Sequence, residues 1–334
     1  MARTAHALVA ACTLLLVGCG PQASSPVVER LDPALDSIVP AEATVEKLAS
    51  GFNFTEGPVW VADSGYLLFT DNNVPALHRW SPKDSVTDFL RGPDLDRTSP
   101  PTDLGGLPGA DGLTLDHQGR LYVADDSHRR IARLENGRLV TIADRYEGKR
   151  LNSPNDLVFK SDGALYFTDP TYGLEQDEKD SRRELDFAGV YRFKDGQVEL
   201  LTKELRRPNG IAFSPDEKFL YVANSDEVKK IWTRYPVKDD GTLGPGTVFY
   251  DASKADGEGL PDGMKVDRRG NLFATGPGGI WIISPEGKAL GRIHVPETPA
   301  NCAWGNADRG TLYITAVKGL YRITLGQGGL PMVR

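Results

Sequence analysis

A chain of 334 residues with 40% hydrophobic and 25% charged side chains has the composition of a folded globular unit, not of a fibre or a disordered tail. A net charge of −7, with no basic run and no basic–aromatic stripe, speaks against nucleic acid as a partner. The 36 glycines and 23 prolines suit a turn-rich all-β protein, and there is ample chain to bury a core.

Residues 1–18 lie outside the expected fold. Arg3 supplies a positive start, and the apolar run over residues 7–17 is too short to span a membrane, so the segment reads as a signal peptide. Its end, Leu16-Val17-Gly18-Cys19, resembles the lipobox of bacterial lipoproteins. That resemblance implies cleavage before Cys19, lipidation of its thiol, and residence at the bacterial cell envelope, facing the periplasm or the exterior. The membrane is then a partner through the lipid anchor only. Residues 19–43, rich in Pro, Ser and Ala without sustained periodicity, are expected to be the lipidated Cys19 and a flexible tether. Cys12 leaves with the signal and Cys19 is acylated, so Cys302 has no disulfide partner and reads as a buried structural thiol.

From residue 44 to the end, one frame organises the chain. A small polar or acidic residue heads a short apolar strand, a turn follows, and a second apolar strand closes the unit. The copies run from Glu56 to Asp71, Asp111 to Asp125, Asn155 to Asp169, Asn209 to Asn224, Asp262 to Gly276 and Asn301 to Ala316. Their heads lie 39 to 55 residues apart, a period that leaves room for two further strands per unit. Asn136-Gly137, Lys194-Asp-Gly196 and Pro285-Glu-Gly287 mark hairpins between those extra strands. The expected fold is an all-β, six-bladed β-propeller with four-stranded blades. The last copy has only three strands, so residues 44–50, which alternate like a strand, are expected to close the last blade. Two insertions interrupt the pattern. Residues 93–109 are rich in Pro, Gly and Asp. Residues 171–186 carry a charge run that reads as a solvated loop, while Tyr172 and Gly173 have the alternative of shaping a pocket mouth.

In a propeller the first strand of each blade lines the central channel. Glu56, Asp111, Asn155, Asn209, Asp262 and Asn301 are therefore expected around one mouth of it. Any single Asn-Gly or Asp-Gly pair is an ordinary turn; six in register point to a functional cluster. The set is all-oxygen, with no His or Cys, which makes zinc, copper and iron poorer fits and suits Ca²⁺ best, with Mg²⁺, Mn²⁺ or Zn²⁺ as substitutes.

Four stretches then carry a resemblance to the senescence marker protein (regucalcin)/gluconolactonase family of calcium-dependent six-bladed propellers. They are Phe54-Thr-Glu-Gly-Pro-Val-Trp60, Arg150-Leu-Asn-Ser-Pro-Asn-Asp156 with Tyr166-Phe-Thr-Asp-Pro170, Arg207-Pro-Asn-Gly-Ile-Ala-Phe213, and Leu260-Pro-Asp-Gly-Met264. The resemblance spans about residues 44–325. It implies that Glu56, Asn155, Asn209 and Asp262 surround the metal, that Asp262 is the candidate general base, and that the substrates are sugar lactones and related esters. Asp111 stands where bacterial lactonase-like members often carry Asn. Asp111, Asn301, Arg150 and His294 are candidate substrate contacts.

The expected chemistry is metal-assisted lactone hydrolysis, with the carbonyl polarised and a carboxylate activating water. No Gly-x-Ser-x-Gly elbow is present, which disfavours a serine mechanism of the α/β-hydrolase kind. Two rivals stand beside it: a non-catalytic lipoprotein propeller that binds a sugar or a protein, and a phosphotriesterase-like hydrolase using the same ring.

Overall fold

The computed structural model describes residues 27–91 and 109–330, apart from Asn73, Pro75 and Gln327. The signal peptide, Cys19 and nearly all of the first insertion lie outside the described residues.

Six sheets are blades that follow one another in sequence order, and a two-stranded ribbon, Arg145–Tyr146 with Lys149–Arg150, stands beside them. Blade one contains Thr55–Val61, Tyr66–Asp71, Ala76–Ser81 and Ser85–Arg91; blade two contains Leu113–Leu115, Leu121–Asp125, Arg130–Glu135 and Arg138–Ala143. Blade three contains Leu157–Phe159, Leu165–Asp169, Gly189–Lys194 and Gln197–Thr202; blade four contains Pro208–Phe213, Phe219–Ser225, Lys230–Pro236 and Thr247–Asp251. Blade five runs Met264–Val266, Leu272–Gly276, Gly279–Ile283 and Ala289–Ile293. Blade six runs Pro299–Gly305, Thr311–Ala316 and Gly319–Thr324, with Glu46–Ser50 as its outer strand. First strands of successive blades touch one another, and Pro299–Gly305 meets Thr55–Val61 to complete the ring. The fold is a six-bladed β-propeller, and the last blade is closed by the early strand, with Lys47 opposite Tyr321.

Local chemistry explains the hairpins. Asn136 and Gly137 take φ of 49° and 78°, and Asp195 and Gly196 take 49° and 77°, the left-handed pair that tight hairpins require. Between blades the apolar strand faces pack through aromatic pairs. Trp60 stacks on Tyr313 across blades one and six at 5.3 Å, and Tyr122 meets Phe159 edge-on across blades two and three at 4.9 Å. Tyr166 meets Phe213 at 4.9 Å across blades three and four, and Phe273 meets Trp304 at 4.8 Å across blades five and six. The interface of blades one and two is aliphatic instead, built on Val59, Leu68, Leu113 and Val123. Cys302 is fully buried with Sγ 3.7 Å from the Phe273 carbonyl, and burial pushes its thiol up to about 12, as suits a structural role.

The segment over residues 27–43 departs from the expected tether. Val28–Arg30 pairs antiparallel with Ala289–Ile293 as a fifth strand of blade five. Asp32 then caps a short 3-10 helix, Pro33–Ser37, by accepting from Ala34 N at 2.8 Å. Leu35, Ile38 and Val39 follow at helical spacing and bury between blades five and six, among Phe273, Ile280, Ile314 and Ile323. Three apolar residues on one face suffice to dock the segment, although its composition is that of a linker.

Candidate active site

Each blade delivers its head residue to the same mouth of the channel. Glu56, Asp111, Asn155, Asn209 and Asp262 line one cavity of about 230 Å³, together with Phe54, Asn72, Tyr172 and Ser225. Asn301 adjoins it, donating from Nδ2 to Glu56 Oε2 at 2.9 Å. Strand pairing shifts at Glu56, between Pro208 and Ile211, and between Pro299 and Asn301, so blades one, four and six turn their head residues inward at bulges.

The glycine after a head residue supplies space rather than a turn. A Cβ at Gly210 would lie 2.2 Å from the Asp262 carbonyl oxygen, and one at Gly57 would lie 2.2 Å from that of Asp111. Neighbouring first strands therefore approach backbone to backbone, and the Gly112 and Gly263 amides donate to Asn155 O and Ala300 O, each at 2.8 Å. The Asp-Gly and Asn-Gly pairs are not turns here. Buried threonines on the second strands add crossbars between blades. Thr70 Oγ1 donates to Asp111 O at 3.1 Å, Thr168 Oγ1 to Asn209 O at 2.8 Å, and Thr275 Oγ1 to Ala300 O at 2.8 Å.

The loops that lead into the ring are pinned too. Asp71 accepts from Asn53 N and Phe54 N at 3.0 and 2.8 Å, just ahead of Glu56. Asp169 accepts from Asn152 N and Ser153 N, both at 2.8 Å, just ahead of Asn155. Asn224 accepts from Arg207 N at 3.0 Å, just ahead of Asn209.

The electrostatics of the mouth are dominated by crowded carboxylates. Burial, joined by the Asp156 carboxylate and opposed by hydrogen bonds from Gly57 N and Asn301, pushes Glu56 up to about 7. Burial and then the charge of Glu56 hold Asp111 and Asp262 well above the ordinary carboxylate range. Asp156 is raised by burial as well, and its Oδ2 has no partner. Lys265 brings one ammonium to this group, with Nζ 3.0 Å from Met264 O and 3.5 Å from Asn301 Oδ1.

A hard cation fits that arrangement. Among the described residues no three His, Cys, Asp or Glu side chains converge closely enough to hold an ion by themselves, so carboxamide oxygens must complete any set. Asn155 is oriented for this, because its Nδ2 donates to Asp111 Oδ2 at 2.6 Å and leaves Oδ1 as the acceptor end. Asn209 directs Nδ2 at Ser225 Oγ, 3.4 Å away, with the same result. Two carboxylates and two carboxamide oxygens make a donor set for Ca²⁺ or a similar ion, which would relieve the repulsion.

Two expected contacts fall elsewhere. His294 follows the fourth strand of blade five, well out from the axis; its Nδ1 lies 2.9 Å from Gly278 O and its amide donates to Val27 O. Arg150 is buried and donates to His128 O at 2.6 Å, outside the cavity walls. Conversely, Asp156 and Ser225 join the site without being expected there, and Tyr172 takes the second of its two expected places, at the pocket mouth. Asp156 carried a usable signal, since it stands directly after Asn155 where four other copies carry glycine.

The chain matches the family model described as the SMP-30/Gluconolactonase/LRE-like region over residues 54–318. It is 38% identical over 309 residues to a gluconolactonase of Zymomonas mobilis, covering 89% of this chain and 85% of that one. A pentonolactonase of Haloferax volcanii is 26% identical, with 82% and 84% covered. Among solved structures, a gluconolactonase of Xanthomonas campestris superposes with a TM-score of 0.77 at 31% identity, covering 89% of this chain and 94% of that one. A calcium-binding regucalcin of Agrobacterium tumefaciens shares the fold, with a TM-score of 0.67 at 19% identity over 87% and 98% of the two chains. By the extent of the match and the propeller behind it, the chain belongs to the SMP-30/gluconolactonase/LRE-like family.

Proposed function

We propose that this chain is a metal-dependent hydrolase of sugar lactones, working at the mouth formed by Glu56, Asn155, Asn209 and Asp262. The observation that carries the reading is the convergence of those four side chains, from four blades, on one cavity. The similarity to gluconolactonases and other lactonases supports the substrate class. The regucalcin relative supports calcium as the ion.

The four side chains would hold the cation, which when bound supplies Lewis-acid polarisation of the lactone carbonyl and balances oxyanion charge. Asp262, on the cavity wall, takes the proton of the attacking water at its carboxylate. That proton is then at hand for the ring oxygen as the acyl C–O bond breaks. Asp111 keeps Asn155 turned carbonyl-first by accepting from its Nδ2, and Asn301 holds Glu56 in place from the next blade. Through a lipid on Cys19, the propeller is proposed to act at the cell envelope.

Hydrolysis of glucono-δ-lactone, followed by acid release after EDTA treatment and after Ca²⁺ is restored, tests the reading. Turnover abolished by chelation and recovered with Ca²⁺ is expected. Full activity without metal would overturn the cation's role. Saturable metal and sugar binding with no turnover would make the protein a binding module instead.

A further inference from the structure

Tyr172 shares the cavity with the ring residues and has no part in the chemistry above. It opens the insertion over residues 171–186, between the second and third strands of blade three. The insertion is fixed at both ends of its first turn. Gly173 N donates to Ser153 Oγ at 2.9 Å, and Ser153 Oγ donates to Pro170 O at 2.8 Å, which ties Tyr172 to the loop leading into Asn155. A side chain at position 173 would lie 2.8 Å from Ser153 Cβ, so the two loops are in contact.

On its other side the insertion is clamped to blade four. Asp177 pairs with the Arg207 guanidinium, and Glu178 lies 3.0 Å from Arg206 Nε and 3.7 Å from Arg207 Nε. Arg207 in turn lies over the Tyr172 ring, 5.5 Å from its centroid. The charge run is thus a fastening, and what it fastens is a phenol at the mouth.

Ser225 and Asn209 reach the oxygen of that phenol, while its proton is loosely held. Its hydrogen-bond acceptor is Arg207 O at 3.5 Å, the outer limit for such a bond. Asn209, Ser225 and Asp262 stand around it in the cavity wall. A phenol O–H is a hydrogen-bond donor, and here it stands at the cavity wall.

We propose that Tyr172 reads the substrate, its hydroxyl donating to a hydroxyl on the carbon adjacent to the lactone carbonyl, with Arg207 and Asp177 as positioning residues. The inference rests on the lactonase reading and names its preferred substrates as 2-hydroxylated sugar lactones. Tyr172→Phe should lower kcat/KM for glucono-δ-lactone by about tenfold or more, chiefly through KM, because a site built for a hydroxyl loses that increment when its partner is removed. The same variant should leave kcat/KM for 2-deoxy-glucono-δ-lactone unchanged. Arg207→Lys keeps the charge but loses the planar fork and should shift selectivity the same way by a smaller factor. Equal loss on both lactones, or no loss on either, would overturn the assignment.

Calorimetric titration of gluconate and 2-deoxygluconate into wild type and Tyr172→Phe separates this from the hydrolase reading, since it needs no turnover. Selective gluconate binding lost in Tyr172→Phe, with no lactone hydrolysed by wild type, would sink the hydrolase and keep Tyr172 as the reader. Indistinguishable binding of both acids to both proteins would overturn Tyr172 whatever the enzyme does.

Discussion

The two ends of the central channel are built from the same strands and have opposite character. At one end stand Glu56, Asp111, Asn155, Asn209 and Asp262. At the other, the tails of those strands supply Leu157, Phe159, Ile211, Phe213, Val266 and Trp304, with Lys265, His117 and Glu217 at the margins. Asn209 and Phe213 belong to a single strand and serve the two ends separately. Because the frame repeats in register, its direction becomes a gradient along the axis: charge gathers at the heads, apolar surface at the tails. The tail end is an apolar recess whose walls also carry contacts between blades, such as Phe213 against Tyr166. The head end is loaded with carboxylates whose burial opposes folding until a cation balances them.

That contrast predicts that substitutions at the head should change turnover more than stability, and those at the tail the reverse. The largest effect is expected for Asp262→Asn, which keeps the shape and an oxygen but removes the proton acceptor. Lactone turnover at saturating Ca²⁺ should fall on the order of 10² to 10⁴-fold, while the melting temperature of the metal-free protein should not fall, since one repelling charge is gone. A folded variant with near-normal turnover would refute the assignment of the base.

Next comes Phe213→Ala at the tail. It empties the partner of Tyr166 and should cost about 3 kcal/mol in denaturant unfolding, with kcat/KM close to wild type. A comparable loss of kcat/KM would show that the two ends are mechanically linked.

Acidity gives a third handle on the head end. The folded-state value of Glu56, about 7, lies above its ordinary 4.5. Its stabilisation is complete below pH 4.5 and is lost as pH rises through 7, by on the order of 2–3 kcal/mol. Metal-free protein should therefore melt lower at pH 8 than at pH 5.5, and Ca²⁺ should flatten the difference. A metal-free melting temperature that rises over that interval contradicts the crowded-carboxylate account. The smallest effect belongs to Ile211→Val, about 1 kcal/mol of stability and no change in either kinetic constant; a measurable rise in KM would break the separation between strand head and strand tail.

The ring is legible in the sequence because its members occupy the same place in a repeat, and a repeat fixes register. What the following glycines do was not legible. Asn209-Gly210 reads as a turn in one dimension, whereas only the neighbouring blade, with Asp262 O against Gly210, shows that space is what matters. Arg150 and His294 carry functional chemistry by residue type, yet they lie outside the cavity lining, against His128 O and Gly278 O. The segment over residues 27–43 hid a docking face in three residues, too few to show a period. Tyr172 stayed undecided for a different reason: the partners of its insertion, Arg206 and Arg207, lie about thirty residues further along the chain.

The shared last blade has a consequence for how the protein is made. Glu46–Ser50 finds its partner in Gly319–Thr324, with Glu46 opposite Arg322, so the pairing spans nearly the whole chain. A ribosome delivers the first strand long before the one that receives it. Blades one to four have all their strands close in sequence, but the ring stays open until Gly319–Thr324 is in place, and its closing step is a contact of high sequence separation. Ring closure is thereby set to the slower timescale of non-local β pairing, with the edge of Gly319–Thr324 as the last surface to be covered.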